Sequence, residues 1–223
     1  DVVLLHGCCH NPTGADLDMA QWKAVGALML ERGLFPLVDL AYQGLGFGLE
    51  EDAEPVRHLA SIMPEMAVAA SCSKNFAVYR DRVGAAFILA ASPAAADIAG
   101  AKLATIGRGM WSMPPDHGAA AVRIVLEDAG LRANWKTELD AMRERIQMLR
   151  ANLASELTRL TNADFSFVTR QTGMFSCLPL TEGQAQRLRD TRGVYLLPDG
   201  RINVAGLNTQ NTAPFAKAFA ETR

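Results

Sequence analysis

The stretch "AVAASCSKNFAVYRDRVG", residues 67–84, places a single lysine, Lys74, directly after an apolar run and close to Arg80 and Arg82. The apolar run is too short for most helices and lacks polar alternation, which is typical of a buried strand. In open α/β sheets, ligands bind beyond the carboxyl ends of the strands. A lysine in a desolvated site with cationic neighbours loses its proton more easily and becomes a nucleophile. Lys74 is therefore a candidate for carbonyl chemistry, although a loop lysine paired with Asp81 explains the same pattern.

The segments around this stretch predict an α/β fold in the first half of the chain. A helical pattern at 16–33 has a candidate N-cap at Asp16 or Asp18 and a stop signal at Gly33. Short apolar runs flank it and favour buried parallel strands. These runs are VVLLH (2–6), LFPLVDLAY (34–42), MAVAASC (66–72) and VGAAFILA (83–90). Strands that alternate with helices in this way indicate βαβ units.

The character of the sequence changes after the turn at 113–118. A long charged amphipathic helix is predicted over 131–160, and such a helix can connect two domains. The remaining elements indicate a small α+β domain. They are strands at DFSFV, GMFSCLPL, GVYLL and RINVAG, a helix at EGQAQRLRD and a final helix from about Pro214. We therefore expect a large domain over 1–140 and a small domain over 141–223.

Composition excludes several classes of protein. The chain has 223 residues, 49% of them hydrophobic, and a formal net charge of −2, so it can bury a core and offers no basic patch for nucleic acid. No apolar run approaches the roughly 20 residues that span a bilayer. Four cysteines suit reduced thiols in a cytoplasm better than a disulfide framework. The "HGCCH" segment at 6–10 lacks zinc-like spacing, so no metal site is predicted.

The start of the sequence leads to an expectation about the length of the protein. The chain starts without Met and directly in a strand-like run, Val2 to Leu5, which would be exposed unless neighbouring strands covered it. We expect the chain to be the C-terminal part of a longer protein.

Several polar residues follow the predicted strands and could share a ligand with Lys74. Asp39 ends an apolar run, where a buried acid is costly unless a cation faces it. A pyridinium nitrogen would supply that cation. Asn11 and Tyr42 could hold a phenolic oxygen, while Ser71 and Arg82 could hold a phosphate. Each residue alone has an ordinary explanation as a turn or core residue. Together with an aldehyde at Lys74, they outline pyridoxal phosphate.

These residues lie in motifs that resemble those of the class I aminotransferases, in particular the aspartate and aromatic amino acid branch. The motifs, in chain order, are HNPTG, DLAYQG, SCSKNF, YRDRVG, SMPPDHGA, GMFS and GRINVAGL. The resemblance runs from residue 1 to about 220 and is most specific in SCSKNF joined to RVG. It implies a fold-type I pyridoxal-phosphate-dependent transferase, here part of the mixed-sheet large domain with a small α+β C-terminal domain.

The resemblance also implies roles for individual residues. Lys74 would form a Schiff base with the cofactor and move the substrate α-proton, with Asp39 keeping the ring nitrogen protonated. Arg201 would clamp the substrate α-carboxylate, and Phe175 could border the substrate. Arg108 would reach into the neighbouring subunit's site and bind a side-chain carboxylate, which implies a homodimer with shared sites.

The implied reaction moves an amino group between aspartate or an aromatic amino acid and 2-oxoglutarate. The implied catalytic set is Lys74, Asp39 and Tyr42, and the cofactor-binding set is Asn11, Asp39, Tyr42, Ser71, Lys74 and Arg82.

Three departures from the family pattern leave alternatives open. Met113 stands where the family usually has asparagine, Ala77 where it has glycine, and Phe47 where this branch often has aspartate. None of them removes a catalytic group, but they could alter kinetics and specificity. Other pyridoxal phosphate chemistry, such as β-elimination or decarboxylation, shares the lysine and aspartate. The chain could also be an inactive remnant, and we expect these residues alone to be weakly active or inactive.

Overall fold

The computed structural model describes residues 1–222. It divides into two compact units. The first unit contains Asp1–Cys8, Leu17–Gly44 and Gly48–Leu139, and the second contains Cys9–Asp16, Leu45–Phe47 and Asp140–Arg223. No helix in the described part of the chain combines the length and hydropathy needed to cross a membrane.

The first unit is built on one four-stranded mixed sheet with the strand order β1-β2-β3-β4. The first three strands are parallel, and β4 is antiparallel to β3. The strands are β1 (Val2–His6), β2 (Phe35–Leu40), β3 (Met66–Ser71) and β4 (Gly84–Leu89), and the helices that begin in this unit are α1 (Met19–Arg32), α2 (Glu54–Ile62), α3 (Pro93–Trp111), α4 (His117–Glu127) and α5 (Ala129–Thr161). This arrangement confirms the predicted α/β class with a mixed sheet.

The core of the first unit lies between the sheet and helices α1 and α2. Its fully buried members include Trp22, Val38, Leu59 and Met66. Helix α1 begins after Asp18, whose carboxylate accepts the N–H of Gln21 in a capping box, and it ends at Gly33 in a left-handed conformation. Of the two predicted N-caps, Asp18 is confirmed.

The prediction that all four runs form buried parallel strands is wrong for β4, and β1 is parallel but not buried, since Val2 is 63% and Leu4 61% exposed. Most of β4 is exposed, and the segment between Ser71 and Gly84 contains turns and irregular backbone but no helix. A parallel pair needs a crossover connection, whereas an antiparallel pair needs only a loop that reverses the chain. Without a crossover helix, β4 runs back along β3.

The second unit surrounds its own apolar core. It contains the C-terminal part of α5 from Asp140, α6 (Phe167–Arg170), α7 (Glu182–Arg192), α8 (Thr212–Thr222) and a two-stranded antiparallel sheet of β5 (Phe175–Cys177) and β6 (Arg201–Asn203). Leu153, Phe165, Val204 and Phe219 are among its most buried side chains.

Two strands predicted in the second unit are wrong. The DFSFV segment leads into helix α6, because Phe165 and Val168 are buried at helical spacing and the Asp164 carboxylate accepts the N–H of Ser166. The GVYLL segment is not a strand, because Gly193 ends α7 in a left-handed conformation and Val194 donates its N–H to Leu188.

Candidate active site

Lys74 lies in a turn just beyond the carboxyl end of β3, as the sequence predicts. Its side chain is partly buried, and its Nζ lies 4.4 Å from the centre of the Tyr42 ring. Burial lowers the pKa of Lys74 from its usual value; the charge of Arg82 also lowers it, and that of Asp39 opposes the change. The amine is therefore neutral at a lower pH than an ordinary lysine, which favours attack on a carbonyl.

Asp39 and Tyr42 reach the same region from β2 and the turn after it. Asp39 lies near the end of β2, opposite His6 of β1 and Ala69 of β3 in the strand register. The backbone carbonyl of Asp39 accepts the N–H of Gly7 at 2.8 Å, which fixes this end of the strand. Tyr42 is buried, so its ring forms one wall beside Lys74. The first unit thus brings together the three predicted catalytic residues.

Ser71 and Arg82 lie where β3 ends and β4 begins. Ser71 is opposite Gly84 in the register, and its Oγ accepts the N–H of Ser73. Arg82 is exposed and donates from Nη1 to the Tyr79 carbonyl at 3.1 Å. Because the two strands pair up to this point, a hydroxyl donor and a guanidinium are held on adjacent strand ends.

A support for the Lys74 turn has no signal in the sequence. Trp135 of α5 donates from Nε1 to the Asn75 carbonyl at 2.7 Å, and its ring stacks on Phe76 with centroids 4.4 Å apart. The Asn75 side-chain amide also donates to the Gln43 carbonyl. These contacts hold Asn75 and Phe76, the two residues that follow Lys74, and so restrict the conformation of the turn that carries the amine. Only proximity in the motif could have indicated Asn75, and nothing local indicates Trp135.

Asn11, Phe175 and Arg201 belong to the second unit. Arg201 donates from Nη1 to the Asn11 side-chain oxygen at 3.3 Å. Arg201 is opposite Cys177 in the β5–β6 pair, and Phe175 is opposite Asn203. A cavity of about 470 Å³ lies against this sheet, and Arg201, Phe175, Arg189 and Tyr195 are among its lining residues. A partly buried arginine beside a cavity can bind a carboxylate through its planar fork of donors.

Four further residues were singled out by the sequence: Arg108, Met113, Phe47 and Ala77. Ala77 lies in the Lys74 turn, where its N–H donates to the Lys74 carbonyl at 3.2 Å. Arg108 is exposed in the last turn of α3. Phe47 and Met113 are strongly exposed, and nothing in the described structure explains the residue type at Met113. Ala77 adopts a positive φ of 56°, a conformation that favours glycine.

The amino-acid sequence matches the model of the protein family described as aminotransferase class I and II over residues 1–219. Among curated relatives, it is 51% identical to a tyrosine aminotransferase of Rhizobium meliloti (strain 1021), over 98% of this chain and 56% of the relative. It is 47% identical to an aspartate aminotransferase of Escherichia coli (strain K12), again over 98% of this chain and 56% of the relative.

Solved structures agree with the sequence relatives. An aromatic-amino-acid aminotransferase from Burkholderia pseudomallei, covalently bound to pyridoxal phosphate, superposes with a TM-score of 0.96 at 44% identity. The alignment covers 99% of this chain and 56% of that one. The chain thus spans little more than half the length of the proteins that it matches.

Proposed function

Because the chain belongs to the class I and II aminotransferase family, we propose that it provides the cofactor lysine of a pyridoxal-phosphate-dependent transaminase. The proposed reaction exchanges an amino group between aspartate or an aromatic amino acid and 2-oxoglutarate. The observation that carries the proposal is the setting of Lys74, a partly buried amine of lowered pKa at the end of a sheet strand, with the charges of Asp39 and Arg82 acting on it.

The donor set around Lys74 fits pyridoxal phosphate. A neutral amine suits the aldehyde, a carboxylate at Asp39 suits a protonated ring nitrogen, and Ser71 with Arg82 offers donors to a phosphate. Tyr42 lies beside the amine, and we propose that its hydroxyl holds the phenolic oxygen. The role of the Asn11 amide as a second donor to that oxygen stays a prediction from the sequence. When bound, pyridoxal phosphate withdraws electrons and stabilises negative charge at the substrate α-carbon.

Lys74 would then act as the proton carrier of the reaction. Its Nζ accepts the proton of the substrate α-carbon and returns a proton to the product. Because burial lowers the pKa of Lys74, more of the amine is in the neutral form that can accept a proton near neutral pH. Asp39 holds opposite charge near this site and favours a cationic ring nitrogen.

We propose that Arg201 clamps the substrate α-carboxylate. Its hydrogen bond to Asn11 restricts one side of the guanidinium, and it borders a cavity that Phe175 also lines. A clamped carboxylate orients the α-hydrogen, and orientation of this kind can supply several kcal/mol of the barrier reduction. Arg108 would bind a side-chain carboxylate in the site of a second copy, so we propose a homodimer.

The domain interpretation also stays a proposal. We propose that the first unit corresponds to the cofactor-binding large domain predicted at 1–140, and the second to the small domain predicted at 141–223. The cytoplasmic location is a prediction as well, in keeping with four cysteines that form no disulfide in the described part of the chain.

Cofactor capture tests the proposal directly. Pyridoxal phosphate is added to the purified chain, its visible absorbance is recorded, and borohydride reduction is followed by peptide mapping. We expect a new visible band and reduced cofactor on Lys74, with Lys23 of α1 as the internal comparison. Capture spread over several lysines, or absent from Lys74, would contradict the proposal. Transfer of an amino group that requires an added 2-oxo acid then supports transamination. Release of ammonia in the absence of a 2-oxo acid supports β-elimination instead.

A further inference from the structure

Arg150 is a buried arginine of helix α5 that none of the proposed chemistry uses. It is 2% exposed. Its three side-chain nitrogens donate to the carbonyls of Val168, Thr172, Gly173 and Phe175 and to the Ser176 hydroxyl, with distances of 2.5–3.2 Å. These acceptors lie in one short segment that ends in strand β5. Burial of a cation is costly because it loses its water, and the hydrogen bonds from Arg150 to these oxygens offset that cost.

The charge of Arg150 persists at neutral pH. Burial lowers the pKa of Arg150 to about 10, and nearby Cys9 and Asp16 oppose that change. A cation therefore holds the carbonyls of the segment at 168–175 in a fixed arrangement. A guanidinium spreads five N–H donors over three nitrogens in a rigid plane and can reach acceptors on several sides, whereas a lysine carries its three donors on one nitrogen.

The same segment also binds the turn that carries Asn11. Thr172 donates its N–H to the Gly14 carbonyl at 2.9 Å, and its hydroxyl bonds to the Asp16 carboxylate. Asp16 in turn accepts the N–H groups of Cys9 and His10 at 2.8 Å each. The loop at 9–16 is thus tied to residue 172 through both its backbone and its acid.

Gly14 shows how closely this loop approaches Arg150. A Cβ on Gly14 would lie 2.6 Å from the Phe175 carbonyl oxygen and 3.0 Å from Arg150 Nη2. The loop, the guanidinium and the start of β5 therefore meet at one point. Asn11 lies three residues before Gly14 in the chain, and Arg201 is opposite Cys177 of β5.

We propose that Arg150 is a positioning residue for the carboxylate clamp: it fixes the Asn11 loop and strand β5 together, and so sets the placement of Arg201 against Asn11. This inference rests on the proposed role of Arg201. It assigns Arg150 a specific effect on carboxylate binding, beyond a general contribution to stability.

The test compares carboxylate affinity with stability in the Arg150→Lys variant. Succinate is the probe, titrated by calorimetry into the cofactor-treated protein at a temperature well below unfolding. We expect the affinity to fall by about tenfold or more, because small displacements of positioning groups can cost on the order of 100-fold in function. Reduction of pyridoxal phosphate onto Lys74 should be unchanged. The matched control is Arg187→Lys, which removes an arginine-to-carbonyl contact, to Thr222, elsewhere in the same unit.

The outcomes separate the inference from the proposed function. If Arg150→Lys unfolds at lower urea but binds succinate like the wild type, Arg150 is only structural and the inference is wrong. If the wild type captures cofactor on Lys74 but binds no succinate, the clamp and the inference both fail while the cofactor proposal survives. Should Arg150→Lys not fold, Thr172→Val decides by the same comparison, since it removes the hydroxyl contact to Asp16 and keeps the guanidinium.

Discussion

At the scale of single residues, the segment after Lys74 contains two backbone conformations that side chains disfavour. Ala77 has φ 56° and Arg82 has φ 53°, both in the left-handed region. In this region the Cβ approaches the following carbonyl oxygen, and the clash destabilises the folded chain by roughly 1–2 kcal/mol per residue. Glycine has no Cβ and avoids this clash. The Ala77 N–H donates to the Lys74 carbonyl at 3.2 Å, so this conformation closes the turn that carries the amine. Ala77 therefore stands where the turn favours glycine.

We expect the substitution Ala77→Gly to stabilise the protein. Removal of the Cβ relieves the strain of the left-handed conformation, and the greater freedom of glycine in the unfolded chain partly offsets this gain. The free energy of unfolding should therefore rise by about 0.5–1 kcal/mol. Urea unfolding measures the change. Ala151→Gly is the matched control, because Ala151 is exposed within helix α5 and the same substitution there should cost about 1 kcal/mol. Equal losses at both positions would show that the turn does not favour glycine.

The reactivity of Lys74 should respond to its two charged neighbours in opposite directions. Arg82 lowers the pKa of Lys74 and Asp39 raises it, while burial lowers it most. Since the neutral amine reacts, Arg82→Gln should move the pH profile of Lys74 acylation to higher pH, and Asp39→Asn should move it to lower pH. Competitive acylation of the cofactor-free protein, read by mass spectrometry, measures both shifts. Lys23 in the same samples serves as the reference. Profiles that stay fixed, or that move together, would disprove this electrostatic account.

The sequence could predict some residues of the candidate site and not others, for physical reasons. Lys74, Asp39 and Tyr42 lie at strand ends, where local pattern and sheet geometry together indicate proximity. Trp135 lies 60 residues from Asn75 on a helix, and the contact depends on tertiary packing that leaves no local pattern. Arg150 lies on a charged amphipathic helix, where the default expectation for an arginine is a solvated face. Only the structure shows it buried.

At the scale of elements, strand position was more predictable than strand direction. The apolar runs at 2–6 and 66–72 became β1 and β3 within one residue of the expected bounds. Direction depends on what connects the strands, and β4 is antiparallel because no helix links it to β3. The consequence is functional: the reversal places Arg82 next to the end of β3, beside the Lys74 turn.

Helix α4 supports this reversal through a close contact at its first turn. His117 Nε2 lies 2.8 Å from Asp81 Oδ1, and a Cβ on Gly118 would lie 2.6 Å from the Asp81 Cβ and 2.5 Å from Val83 Cγ2. The N-terminus of α4 therefore packs against the loop on both sides of Arg82. Any displacement of α4 should move the proposed phosphate donor.

We expect Gly118→Ala to weaken the capture of pyridoxal phosphate about fivefold or more. The added methyl group must displace either the helix or the loop, at a cost of about 1 kcal/mol or more. Titration of the visible band measures the affinity. Gly109→Ala in α3 is the matched control, because a Cβ there meets no atom within 4 Å and alanine favours the helix. Equal affinities of the two variants would exclude α4 as a support for the phosphate donor.

At the scale of the whole molecule, helix α3 is a 19-residue element without a single buried residue. Leu103, Ile106 and Met110 follow at spacings of three and four, which places them on one face of the helix. Ile106 is 56% exposed and Met110 is 67% exposed. Contiguous apolar surface of this kind marks interaction sites in proteins, since its removal from water is favourable by about 25 cal/mol per Å². Arg108 extends from the same helix, so an interface here would also bring it to a second copy.

A variant that places charge on this face tests the proposed homodimer. We expect the wild type to show a concentration-dependent mass in sedimentation equilibrium, and Ile106→Glu with Met110→Glu to be monomeric, because two carboxylates would have to be desolvated at the contact. Leu28→Glu is the matched control, since Leu28 is an exposed apolar residue on α1 and its replacement should leave the mass unchanged. Capture of pyridoxal phosphate on Lys74 reports whether each variant keeps its fold. The proposed interface on α3 would be wrong if the wild type stayed monomeric at all concentrations, or if the Leu28→Glu control dissociated to the same extent. Arg108 would then have no interface through which to reach the site of a second copy.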